Sequence, residues 1–170
     1  EVIENLLKSI NESTVKVSNK DVYVIIESLE DHTYEIVKKY DMNMILRKNL
    51  NLKRKGYALE EAFDYLKTNR KEYDLYFIFD ADNILDKDFI KNMLISYNEG
   101  YDIACGYRGI KNKKLNVISI SSILTFTLIN TISNNNKSKK GKNVVLSGTG
   151  FYLSKKVLKD KYKFHTLTED

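Results

Sequence analysis

Between residues 1 and 110, apolar runs of strand length alternate with stretches in which apolar residues recur every three or four positions. Val22 to Ile26 predicts a strand, followed by a helix from about Asp31 to Tyr40. Met42 to Leu46 predicts a second strand, and Ala58, Leu59, Ala62, Phe63 and Leu66 mark one face of a helix. Leu75 to Phe79 is apolar without alternation, the pattern of a central strand covered on both faces. Phe89, Ile90, Met93, Leu94 and Tyr97 line the next helix, with Asp86 placed to cap it. Strand and helix in alternation predict one α/β domain with a mainly parallel sheet flanked by helices.

After a strand at Asp102 to Tyr107 the pattern changes. Val117 to Ile132 is apolar and hydroxyl-rich and predicts a helix, followed by a polar loop from Asn134 to Lys142. Leu146 to Leu153 reads as a strand broken around Gly148 and Gly150, and Ser154 to Lys159 as a short helix. Proline is absent, so turns depend on Gly, Asn and Asp.

Composition narrows the class. With 42% hydrophobic and 30% charged residues in 170, the chain has a core to bury and is not disordered. The single cysteine, Cys105, excludes an internal disulfide framework and suits a reducing, cytoplasmic compartment. No apolar run reaches the 18 residues of a membrane span, and no signal peptide is visible. The opening Glu-Val-Ile-Glu reads as the start of a fragment, so the parent protein's membrane segments would lie outside it. The charge of +5 gathers at Lys53–Lys55, Lys111–Lys114, Lys137–Lys142 and Lys155–Lys163. That excess suits phosphates or an anionic membrane face. Nucleic acid is not expected as a partner, because no aromatic-basic recognition motif accompanies the charge.

In an open α/β sheet, ligands sit beyond the carboxyl ends of the strands. Leu75 to Phe79 runs into Asp80-Ala81-Asp82-Asn83, where two carboxylates in period-two spacing share a side and repel unless a cation or proton lies between them. A divalent metal with oxygen ligands, Mg²⁺ or Mn²⁺ sharing its shell with phosphates, suits that pair. A turn followed by a helix cap needs only one aspartate. Val22 to Ile26 runs into Glu27, a hydrogen-bond acceptor for a base or ribose, and on to Asp31, which suits either a ligand or the start of the following helix. His32 and His165 lack metal spacing.

The set Asp31-His32-Thr33, Arg47, Lys55-Gly56-Tyr57-Ala58-Leu59, Asp80-Ala81-Asp82, Asn112, Gly148-Thr149-Gly150 and Thr168-Glu169-Asp170 resembles family-2 glycosyltransferases in order and spacing. It looks like the cellulose, chitin and poly-N-acetylglucosamine synthase side of that family. The resemblance covers residues 5 to 170 and implies the GT-A (Rossmann-like) fold. It also implies one catalytic domain, 1–170, with a donor-binding half over about 1–110 and an acceptor-side half over about 111–170. A lone D-x-D is common. Preceded by K-G-x-A-L and followed by T-E-D, it is specific.

The resemblance implies a UDP-sugar donor, a glycan or lipid-linked acceptor, and hexosyl transfer with inversion, in polysaccharide or glycoconjugate synthesis at the cytoplasmic face of a membrane that anchors the parent protein. Glu27, where the family usually has Asp, would meet the nucleobase; Asp31 would face the nucleoside and Lys55 the nucleoside or diphosphate. Asp80 and Asp82 would serve ribose, diphosphate and metal, with Asp82 the direct metal ligand. Gly148, Thr149, Gly150 and Glu169 would shape the acceptor side, and Asp170 would be the catalytic base. The family's first strand is missing from this expectation, since residues 1 to 10 match the helix that follows it. Arg54 stands where the family has glycine. A fragment with such an omission is expected to be a poor catalyst. Two other functions fit parts of the pattern. One is a phosphatase of the haloacid-dehalogenase type, which also carries D-x-D at a strand end; the other is a non-catalytic nucleotide-sugar-binding module.

Overall fold

The computed structural model describes residues 2–109, 117–142, 144–146 and 148–158. The elements run α1 (Val2–Asn11), β1 (Tyr23–Ile26), α2 (His32–Lys39), β2 (Asn43–Leu46), α3 (Lys55–Thr68), β3 (Leu75–Ile78), α4 (Phe89–Asn98), β4 (Ile103–Cys105), α5 (Val117–Thr127), α6 (Asn135–Lys139) and β5 (Phe151–Ser154). A single turn of 3₁₀ helix at Asn19–Asp21 precedes β1, and a π-helical stretch, Leu128–Asn134, joins α5 to α6. The α/β class expected from the pattern is present.

Pairing departs from the simplest expectation. β1 and β2 are parallel, in register from Tyr23 opposite Asn43 to Ile26 opposite Leu46. The other three strands form a separate sheet in the order β3-β5-β4, with β5 antiparallel to both neighbours. Parallel pairing among the described residues is therefore confined to two strands. The central strand is also a different one. Leu75–Ile78 forms an edge of its sheet, whereas all four residues of β5 are buried and Tyr152 is sealed from solvent.

Helix α1 shows why the layers hold together. Ile3, Leu6, Leu7 and Ile10 follow the i, i+3, i+4, i+7 rule and bury one face against Ile36 and Val37 of α2, Met42, Leu85 and Ile90. Each side chain so buried contributes about 1.5–3 kcal/mol of transfer free energy. The same helix and the turn after it fix the loop after β3: Ser9 Oγ accepts from Leu85 N at 3.0 Å, and Thr14 N, beyond the helix, donates to Lys87 O at 2.9 Å. The Asp80–Asp88 segment is thus tied down at its far end. Between β1 and β3 lies an apolar channel of about 440 Å³, lined by both strands and by α1 and α3, including Val24, Ile25, Leu66, Phe77 and Phe79.

Three local expectations are corrected. Asp86 is not the cap of α4: its Oδ1 accepts from Asp88 N at 2.9 Å in the preceding turn, and Asp88 holds the cap position. The helix predicted to end near Ile132 continues through the π turn to Lys139, so most of the expected polar loop is helical. The strand expected from Leu146 begins only at Phe151, and residues 155–158 form turns rather than a helix.

Candidate active site

The carboxyl end of β3 carries the densest polar network. Asn83 N donates to Asp80 O at 3.0 Å, closing a turn over Asp80–Asn83. Because the strand ends at Ile78, Asp82 lies in this turn, and the period-two rule does not govern its direction. Asp80 N donates to Thr149 Oγ1 at 2.7 Å and more weakly to Asn83 Oδ1 at 3.3 Å, and the Thr149 hydroxyl also donates to Asn83 Oδ1. Asn83 Nδ2 in turn reaches Asp82 Oδ1 at 3.2 Å. Asn83, named in the sequence only as the residue after Asp82, is thus the hub between both aspartates and Thr149.

Gly148-Thr149-Gly150 is delivered to this turn by β5. Gly150 N donates to Ile78 O at 2.9 Å, and Gly106 N to Gly150 O at 2.8 Å. Gly148 and Gly150 both have φ of +66°, a left-handed conformation that a side chain opposes. The buried Thr149 therefore enters between two kinks that let its hydroxyl meet the Asp80 amide.

Lys55, the first residue of α3, completes the arrangement. Its Nζ donates to Asp80 Oδ1 at 2.5 Å and to the carbonyl of Gly148, tying the start of α3, the end of β3 and the glycine turn to one cation. The pair stays partly open to solvent: the side chains of Lys55 and Asp80 are 32% and 40% exposed.

The rim of β1 and β2 is built differently. Arg47 follows β2 directly, and its side chain is only 3% exposed. Its Nη1 donates to Glu27 Oε1 at 3.2 Å, and its Nη2 donates to the carbonyls of Asn49 (3.1 Å) and Leu52 (2.5 Å), with Glu61 Oε1 at 3.5 Å. Glu61 Oε2 also accepts from Lys48 N at 2.7 Å. The guanidinium thereby shapes the 48–54 loop that leads to Lys55. Arg47 entered the sequence reading only as part of a motif. The signal for its structural part was an Arg placed directly after the apolar run Met42–Leu46.

Glu27 is exposed and engaged by Arg47, while Asp31 is the N-cap of α2, its Oδ1 accepting from Thr33 N at 2.8 Å. The Thr33 amide holds the Asp31 carboxyl below its ordinary range. Glu27 and Asp31 follow β1, whereas Lys55, Asp80, Asp82 and Gly148–Gly150 gather at β3. Asn112, Thr168, Glu169, Asp170 and His165 lie outside the described residues. His32 is the first residue of α2.

Among the described residues no group of three or more His, Cys, Asp or Glu stands ready to hold a metal ion. The Asp80 and Asp82 carboxylates nevertheless offer hard oxygen donors at an accessible turn. That set fits a Mg²⁺ or Mn²⁺ ion that keeps waters and phosphate oxygens for its other positions.

An α/β domain with a polar cluster at its strand ends has the layout in which ligands meet backbone turns and helix starts. The family model for glycosyl transferase family 2 matches residues 1–161, and the chain belongs to that family. It is a glycosyltransferase domain, and the phosphatase alternative is not favoured. The matched stretch stops short of Thr168-Glu169-Asp170. No curated protein matches the chain.

Proposed function

We propose that this domain transfers a sugar from a UDP-sugar to a hydroxyl acceptor with inversion, in polysaccharide or glycoconjugate synthesis of the kind carried out by cellulose- and chitin-type synthases. The observation that carries the donor site is the joint tether of Lys55 to Asp80 Oδ1 and to the Gly148 carbonyl, which collects three elements around an accessible carboxylate. Asp80 and Asp82 would hold Mg²⁺ or Mn²⁺, and what such an ion supplies is neutralisation of charge on the departing diphosphate. Lys55 offers a second positive charge beside the same carboxylate, and Glu27 and Asp31 the acceptors nearest the nucleoside. Gly148–Gly150 and Glu169 would face the acceptor. Asp170 would take the proton from the attacking hydroxyl, a contribution typically about 10²–10⁴-fold.

Calorimetric titration with UDP and with UDP-sugars, in Mn²⁺ and in chelator, tests the donor site. Binding that requires Mn²⁺ and is lost in Asp82→Ala is the expected result. A chain folded by circular dichroism that binds no nucleotide in Mn²⁺ overturns it.

A further inference from the structure

Charge is segregated along this chain. Residues 103–159 contain eleven Lys and Arg and no Asp or Glu, whereas the remainder carries all 23 acidic residues. The same half holds the longest helical run among the described residues, from Val117 to Lys139 through α5, the π turn and α6. Along it Ile120, Ile123, Leu124, Leu128 and Ile132 are all exposed, the last three by more than half. In an α-helix each four-residue step drifts a stripe sideways by about 40°. The wider π turn between Leu128 and Asn134 works against that drift and keeps Ile132 in line with the preceding residues.

The rest of the helix explains why this stripe faces outward. Asn134 is buried and exchanges two hydrogen bonds with the backbone of Val145, at 2.9 and 3.0 Å. Tyr107 Oη lies 3.1 Å from Thr127 Oγ1, and the Arg108 guanidinium sits 4.7 Å from the centre of the Phe126 ring. Asn134 and Phe126 hold the helix from outside the stripe, whereas Thr127, seven residues after Ile120, lies along it with Tyr107 at its edge. Two exposed hydroxyls, Thr125 and Thr131, donate back to the carbonyls of Ser121 and Thr127, which lowers the cost of removing them from water. Immediately after the stripe come Lys137, Lys139, Lys140 and Lys142. Among the described residues no helix is long and apolar enough to cross a membrane.

We infer that the α5–α6 helix is a docking surface for an anionic lipid bilayer, lying in the interface with Ile120, Leu124, Leu128 and Ile132 among the acyl chains and the lysines at the headgroups. An exposed apolar stripe followed by a cluster of cations suits interfacial binding, with the carboxylates of Glu99 and Asp102 placed beside Asn130 and Asn134 rather than on the stripe. Charge complementarity decides for lipid over a second copy of the chain, because two such surfaces would bring their lysine clusters together. The inference is independent of the donor site.

Vesicle flotation of the chain tests it, with phosphatidylcholine alone and with phosphatidylcholine plus phosphatidylglycerol. The expected result is binding to the anionic vesicles only, weakened by salt. It should be lost in the double variant Leu124→Glu/Leu128→Glu and reduced on the order of tenfold by Lys139→Glu/Lys140→Glu. Leu29→Glu, at an exposed apolar residue elsewhere, should bind as the parent does. All these positions are exposed, and circular dichroism confirms that each variant is folded. A folded parent that ignores anionic vesicles overturns the inference. So does binding that survives both double variants, or light scattering that shows a dimer dispersed by Leu124→Glu/Leu128→Glu while vesicle binding is absent.

Discussion

Arg47 and Lys55 are two cations at neighbouring strand ends, and they are held in opposite ways. Arg47 is enclosed, with its fork divided among two carboxylates and two backbone carbonyls. Its Nε is buried with no hydrogen-bond partner among the described residues. Lys55 is one third exposed and makes two contacts, one of them to a carboxylate that water also reaches. A buried charge whose partners are removed costs several kcal/mol, while an exposed ion pair contributes about 1 kcal/mol or less. The first rim is therefore fixed architecture. The second is an ion pair that a ligand can enter.

Arg47→Ala should have the largest effect on stability. It strands Glu61 and the Leu52 carbonyl in a partly buried place, and a loss of about 3 kcal/mol is expected in urea unfolding. Arg47→Lys should recover little, because a point charge cannot span four acceptors in different directions. If Arg47→Ala unfolds at the parent's urea midpoint, the contrast between the rims collapses. Thr149→Val keeps the volume and deletes the hydroxyl that receives the Asp80 amide, for an expected cost of about 1–3 kcal/mol by the same measurement. Nucleotide titration of that variant should show weaker binding, since the Asp80 turn loses its tie to β5. Lys55→Gln should be the mildest, within about 1 kcal/mol of the parent. It sharpens the comparison most when Mn²⁺ alone and UDP with Mn²⁺ are titrated separately. A displaceable Lys55 predicts tighter Mn²⁺ and weaker UDP; identical changes in both would mean that Lys55 is as structural as Arg47.

Much of the first hundred residues was legible because their order is local. The apolar face of α3 and the runs of β1, β2 and β3 are each set by neighbours within one element. Which strand sits in the middle is not a local property. β5 pairs with strands more than forty residues away, and its approach through two left-handed glycines looked like an interrupted strand. Asn134–Lys139 read as loop by composition, yet the Asn134–Val145 bonds and the preceding helix carry the helical conformation through it. The strand-end aspartates were legible as a pair beyond an apolar run. Their connection was not, because Asn83 and Thr149 meet only through tertiary contact.

The apolar channel also bears on how the chain behaves in solution. β1 pairs only with β2, and β3 only with β5, so among the described residues each has one side without a strand partner, and both strands line the channel. Open ladders beside apolar surface are templates for intermolecular strand addition. At high concentration this side of the molecule, rather than the basic helix, is where aggregation or strand exchange would begin, and a Pro or Lys introduced into β1 would act as a gatekeeper there.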